Sequence, residues 1–307
     1  MKRKKLLLPA GLLGLWVAGT LSGCSSIALL NPNGPVGDIQ RSIIIISIVL
    51  MLIVVVPVFI MAFLFGRKYR ASNPQATYMP KWHYSVKLDL VVWLVPIVIV
   101  LVLSYLAWIH TYQLDPYRPL VSDEKPINIE AVSLDWKWLF IYPDQNIATV
   151  NEIVFPANVP LSFRLTSDTV MTSFFIPQLG SQIYAMAGMQ TRLHLLADKP
   201  GVYAGQNQQY SGRGYADMHF KATATSPEEF DAWVQKAKES PEALDMARYD
   251  ELAKPSQGHF VAYYSSVEPD LFDRIMRKYN PAMGGHHTHH GGEAVSMQGE
   301  STTSEAH

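Results

Sequence analysis

The sequence predicts a pair of membrane-spanning helices followed by an all-β sandwich that carries helices at its C-terminal end. Three observations lead there. Nearly all of the long apolar runs lie before Tyr112. From about Ile127 the apolar pattern changes to a period of two, the mark of strands. Pro, Gly, Asn and Asp then divide much of the remaining chain into short segments, as in a sandwich or barrel of antiparallel strands.

With 307 residues, 49% of them hydrophobic, the chain has room for a membrane part and one globular domain of ordinary size. Its net charge of −1 and the lack of a sustained basic stretch beyond the N-terminus argue against a nucleic-acid partner. Met1-Lys2-Arg3-Lys4-Lys5 is basic and Leu6 to Leu21 is apolar, the order of a secretory signal over residues 1–23. It ends in Leu21-Ser22-Gly23-Cys24, which resembles the bacterial lipobox. On that reading the Cys24 thiol takes diacylglycerol and heads the mature chain, and residues 24–42 are an exported segment. The alternative is an uncleaved helix with an incidental cysteine. Lipid adds about 0.8 kcal/mol of membrane affinity per buried methylene. Beside two spans that is redundant for attachment, so its role is to hold the N-terminus at the membrane surface.

Residues 43–112 read as a transmembrane hairpin with a cytoplasmic loop. Ile43 to Phe65 and Leu90 to Ile109 are each long enough to cross a hydrocarbon core of roughly 30 Å. Pro57 and Pro96 free carbonyls inside these spans, which hints at packing against a larger membrane protein. The connection carries Arg67, Lys68, Arg70, Lys81 and Lys87, so the positive-inside rule places it in the cytoplasm and both ends outside. Asp89 stands at the cytoplasmic entrance of the second span. It is either a solvated boundary residue or a carboxylate that handles protons.

In the exported part, Ile127, Ile129 and Ala131 share one strand face. After a phase shift, Leu134, Trp136, Trp138 and Phe140 share another, which predicts a β-bulge. Further strands are expected over Glu152–Phe155, Leu161–Thr166, Ser173–Ile176, Arg192–Leu196 and Asp217–Ala222, within a domain of residues 120–225. A helical extension follows at 226–280. Ser226-Pro227-Glu228-Glu229 has the capping box of a helix start, and Pro269 to Tyr279 is a second amphipathic run after a polar connector. The tail, residues 281–307, holds His286, His287, His289 and His290 among small and polar residues and is expected to be disordered.

Two spans, then Asp135-Trp136-Lys137-Trp138, then Val170-Met171-Thr172-Ser173-Phe174-Phe175-Ile176-Pro177, then Tyr210-Ser211-Gly212-Arg213-Gly214 make an order that resembles subunit II of the haem–copper oxidases. The likeness extends to about Lys278 and implies a cupredoxin-like sandwich. In the cytochrome c oxidase branch that domain holds a dinuclear copper centre on two bridging cysteines, two histidines, a methionine and a backbone carbonyl. Here Thr172 falls at the first histidine, Tyr210 and Gly214 at the cysteines, Met218 at the second histidine and Lys221 at the methionine. The single cysteine of the chain is the proposed lipid site, so neither a thiolate-bridged copper pair nor a blue-copper centre is available. His194 shares a strand face with Arg192 and reads as a solvated strand histidine, and His219 beside Met218 does not close a copper site.

Loss of the ligands within a retained pattern resembles the ubiquinol oxidase branch, of cytochrome bo type. That resemblance implies a docking subunit of a proton-pumping complex that oxidises ubiquinol and reduces oxygen to water. It implies a bacterial inner membrane, a periplasmic sandwich, and subunits I, III and a small subunit IV as partners. Haems and copper are expected in subunit I, and no cofactor or catalytic residue in this chain. The segment Ile176 to Gln190, with Gln182, Tyr184 and Met186, suits packing against partner subunits or packing within its own loop. Trp136 and Trp138 resemble the aromatic cluster at the electron-entry face of copper-containing relatives and, without copper, read as core or interface residues. Asp89 matches an acidic position near the cytoplasmic mouth of a proton channel of subunit I, with Asp in place of the more familiar Glu. The rival class is a copper-handling lipoprotein that uses the histidine-rich tail, although flexible His tracts bind metals weakly and unselectively.

Overall fold

The computed structural model describes residues 27–280 apart from Tyr78, Pro80, Trp82 and Asp123. The expected signal segment, Cys24 and the tail lie outside the described residues. Helix α1 spans Pro35–Lys68 and α2 spans Val86–Gln113. Both run past the apolar stretches that predict them. At 1.5 Å per residue they extend for about 51 and 42 Å, more than a bilayer core needs. Pro35 sits in the first turn, where its missing N–H leaves no bond unmade. No side chain of α2 is buried within this chain, and apart from the half-covered Ile99, Leu103, Leu106 and Ile109 its apolar surface is left for lipid or another protein.

The sandwich is built from β1 (Ile127–Leu134), β2 (Lys137–Tyr142), β3 (Ile147–Val150), β4 (Glu152–Pro156), β5 (Leu161–Ser167), β6 (Thr172–Phe174), β7 (Ile183–Ala185), β8 (Thr191–Leu195), β9 (Gly201–Gln206), β10 (His219–Thr225) and β11 (Ala262–Tyr264). One sheet has the order β11-β3-β2-β1-β5-β8, a second has β4-β10-β9, and β6 pairs with β7. β1 with β5 and β4 with β10 run parallel, so the sheets are mixed rather than wholly antiparallel as expected. Alternation in a sequence reports which face of a strand is buried. It carries no information on the direction of a partner far along the chain.

The predicted bulge is a hairpin. Leu134 pairs directly with Lys137, so Asp135 and Trp136 form a two-residue turn, with Trp136 at φ +64°. Hairpin turns of this length need positive φ to match strand twist. A tryptophan there is strained by about 1–2 kcal/mol, so its side chain must be held by something nearby.

Between the sheets lies a core of aromatic rings. Trp138 meets Phe174 edge-on at 5.4 Å between centroids, and Phe174 stacks on Phe220 at 5.0 Å. Each such buried ring contributes about 1.5–3 kcal/mol. A second core covers the outer face of the six-stranded sheet. There Val132, Leu134, Leu139 and Ile141 pack under Tyr249, Leu252, Phe272 and Ile275. The covering layer is supplied by α4 (Met246–Leu252) and α5 (Leu271–Tyr279), while α3 (Pro227–Lys238) starts at the predicted capping box on Ser226 and Glu229. The supposed polar connector thus contains α4 and β11. Both are too short to show a period, and α4 is fixed by Asp245 capping the Arg248 amide.

The sandwich is seated on the start of α1. Asn33 N–H donates to the Gln178 carbonyl at 2.8 Å, and Asp198 N–H donates to the Asn33 carbonyl at 2.9 Å. The Gln40 amide donates to the Ser181 hydroxyl. The approach is so close that a Cβ on Gly34 would stand 2.2 Å from the Leu196 carbonyl oxygen.

Candidate functional site

The loop that would carry copper ligands leaves β9 at Asn207, and one buried amide organises it. Asn207 Oδ1 accepts from the Ser173 backbone N–H at 2.9 Å and from Gln209 N–H at 2.8 Å. Its Nδ2 donates to the Gln209 carbonyl at 2.8 Å, Ser211 Oγ at 3.2 Å and Met218 Sδ at 3.3 Å. Ser173 Oγ completes the join by accepting from Gln208 N–H at 2.8 Å. Asparagine suits the place because its short amide can bond the backbone two residues on and still reach across the loop.

Around this amide, Met218 is buried at 1% exposure. Thr172 is equally buried, and its hydroxyl has no hydrogen-bond partner among the described residues. Gly214 is buried beneath Trp136, whose indole N–H donates to the Ser211 carbonyl at 2.9 Å. That bond, and the indole lying against Gly212 and Gly214, hold the strained Trp136 turn. Tyr210 is 77% exposed beside Tyr215, and Lys221 is exposed on β10. Of the five matched positions, only Met218 joins the Asn207 network.

Copper chemistry of this type needs thiolates, with imidazoles beside them. The loop offers a thioether, hydroxyls and an amide, and these residues do not fit a dinuclear or blue-copper centre. Among the described residues, no three His, Cys, Asp or Glu side chains group closely enough to hold a metal ion. His219 is exposed. His194 is half-buried rather than solvated, with Nδ1 3.0 Å from the Pro116 carbonyl oxygen. Trp138 is fully buried in the core and has no surface to give an interface. Gln182 and Tyr184 are exposed and Met186 is half-buried. Asp89 is exposed in the first turn of α2, where the helix dipole favours an anion.

Two further polar clusters, not anticipated from the sequence, fasten the C-terminal layer. Asp168, almost fully buried, accepts from Tyr249 OH and Lys278 Nζ, both at 2.8 Å, and its carbonyl accepts from Tyr279 OH at 2.6 Å. Burial and the Asp168 carboxylate push the Tyr249 phenol far above its ordinary range, so it stays a donor. Arg164 bridges Glu130 at 2.7 Å and Asp273 at 2.9 Å. Burial pushes Glu130 up to about 7, opposed by Arg164 and reinforced by Asp273 and Asp270. Lys137 is also buried. Its ammonium donates to the Lys254 carbonyl at 2.8 Å and Ser256 Oγ at 2.6 Å, and burial draws its pKa down against the pull of Asp135.

The described residues form a β-sandwich beside two helices long and apolar enough to cross a membrane, with a C-terminal layer over its outer face. Comparison with known proteins gives the family. Residues 105–224 match the family described as "Cytochrome C oxidase subunit II, periplasmic domain", and residues 238–283 match the "COX Aromatic Rich Motif". The chain is 56% identical to cytochrome bo(3) ubiquinol oxidase subunit 2 of Pseudomonas putida, over 88% of this chain and 85% of that one. It is 54% identical to the protein of the same name from Pseudomonas aeruginosa, over 94% and 84%. Ubiquinol oxidase subunit 2 of Acetobacter aceti is 50% identical over 92% of both. Among solved structures, the periplasmic domain of subunit II of cytochrome oxidase from Bradyrhizobium japonicum aligns at 26% identity and a TM-score of 0.37, over 39% of this chain and 97% of that one. The chain belongs to the cytochrome c oxidase subunit II family, in its ubiquinol oxidase subunit 2 branch.

Proposed function

We propose that this chain is a docking subunit without a redox centre, in a proton-pumping complex that oxidises ubiquinol and reduces oxygen to water. The observation that carries this reading is the Asn207 loop. Its ligand positions hold Thr172, Tyr210, Gly214, Met218 and Lys221, and its interior is tied by an amide instead of a metal. A water-soluble cytochrome donor needs a relay projecting from the membrane, whereas quinol already lies in the bilayer and can reach subunit I directly. Haems, copper and the quinol site then belong to subunit I, with subunit III and a small subunit IV completing the complex.

The same reading places the complex in the bacterial inner membrane, with the sandwich periplasmic and Cys24 lipidated. Asp89 serves as a proton-entry carboxylate beside subunit I. Its exposure at the head of α2, next to Tyr84 and Trp93 in an open groove, supports that role. An Asp89→Asn complex is expected to assemble with its haems and turn over more slowly. Unchanged proton-coupled rates would remove Asp89 from the path.

The decisive experiment is oxygen uptake by the detergent-purified complex captured through this chain. Cyanide-sensitive uptake with ubiquinol, and none with reduced cytochrome c, is the expected result. Uptake with cytochrome c alone would overturn the absence of a redox relay. A sample with no haem-bearing partner and no uptake would overturn the oxidase role and favour metal handling by the tail.

A further inference from the structure

At the foot of the sandwich, α1, the segment after α2 and β8 enclose a cleft of about 160 Å³. Val36, Leu114 and Leu193 give it apolar walls, and Asp115, Arg118 and His194 give it polar ones. It shares Leu114, Asp115 and Pro116 with an open groove that runs down the last turn of α2 past Ala107, His110 and Tyr112. Trp108 and Tyr112 pack together there at 5.4 Å, both largely exposed, as in the aromatic belts that mark a membrane–water boundary. Cleft and groove therefore form one path from the edge of the hydrocarbon to a polar recess.

We infer that this recess holds the headgroup of a zwitterionic aminophospholipid, with its phosphate on Arg118 and its ammonium on Asp115. The placement in the outer leaflet rests on the orientation given under the proposed function. Arg118 makes no side-chain hydrogen bond or ion pair among the described residues, so its guanidinium fork is available for a phosphate diester. Asp115 uses one oxygen to accept from Tyr117 N–H at 2.9 Å, which fixes the turn and leaves the second oxygen for a donor. His194 Nδ1 is engaged with Pro116, so Nε2 is the ring atom left for the ligand. Among the described residues, one cation and one carboxylate line the recess, a balance that fits a neutral zwitterion better than an anionic lipid. The acyl chains would follow the groove along α2 into the bilayer.

The test uses the intact complex, stripped of lipid in detergent, and a phosphatidylethanolamine carrying a diazirine near the start of one acyl chain. Irradiation is expected to label peptides within residues 107–121, with phosphatidylethanolamine outcompeting phosphatidylglycerol. Arg118→Ala is expected to lower labelling roughly ten-fold, the loss of one charge-assisted contact, and Arg118→Lys to recover part of it. Equal labelling of Arg118→Ala, preference for phosphatidylglycerol, or full displacement by inorganic phosphate alone would each overturn the assignment. Oxygen uptake with ubiquinol, measured on the same samples, separates these outcomes from failure of the oxidase reading.

Discussion

The Asn207 amide donates to Met218 Sδ at 3.3 Å, joining the start of the loop to its end across 11 residues. A thioether is a weak acceptor, so the bond owes its place to the rest of the network. Asn207→Ala would leave the buried Ser173 amide and the Ser211 hydroxyl short of partners. The expected loss is about 3 kcal/mol, read as a lower denaturant midpoint for the full chain in micelles. A loss below about 1 kcal/mol would show that water replaces the amide.

Gly214 and Trp136 form a second closure of the same loop. A Cβ on Gly214 would stand 2.4 Å from Trp136 Cγ. Gly214→Ala is expected to destabilise by about 1–3 kcal/mol through overpacking, and the effect should shrink when Trp136 is also replaced by Ala. Thermal melts of the two single variants and the double variant give the coupling. Simple additivity would mean that the ring is not the obstacle.

Asp168 ties three aromatic-layer residues to the turn after β5. Asp168→Ala leaves the Tyr249 hydroxyl without its acceptor and frees Lys278 to solvent, and is expected to cost about 1–3 kcal/mol. Limited proteolysis should then cut within residues 240–280 before it reaches the sandwich strands. The hydrogen bond to Asp168 raises the Lys278 pKa, so this contact contributes below the ordinary lysine pKa and fades as pH climbs beyond it.

Glu130 sets a pH dependence of the opposite practical range. Its carboxyl is raised from 4.5 to about 7 in the folded chain, so between those values the folded state holds a proton that the unfolded state has released. Stability is fully present below the unfolded value and declines as pH rises towards about 7. Glu130→Gln should flatten that slope. Unfolding midpoints at pH 5 and pH 8 that shift equally in both proteins would exclude Glu130 as the source.

Much of this was legible in the sequence, for identifiable reasons. The spans rest on composition alone, and the Ser226 cap is a local motif in which both capping-box hydrogen bonds form. The assignment of the ligand positions rests on the resemblance of Ser173-Phe174 and of the run Tyr210 to Gly214 to the family. What stayed hidden depends on distant partners. Asn207 sits among glutamines with nothing to mark its reach to Ser173, 34 residues earlier. Asp168 meets Lys278 across 110 residues. The turn at Asp135-Trp136 was obscured because tryptophan is a poor sign of positive φ, and its support comes from a loop 75 residues away.

The Asn207 loop also bears on how the domain matures. Its shape is set by an amide, hydroxyls, a thioether and an indole, all of them in the chain from the moment of synthesis. On the proposed reading, in which the chain has no redox centre, nothing in the loop must be oxidised, reduced or delivered. Folding of the sandwich is then expected to proceed alike in copper-starved and copper-replete cells.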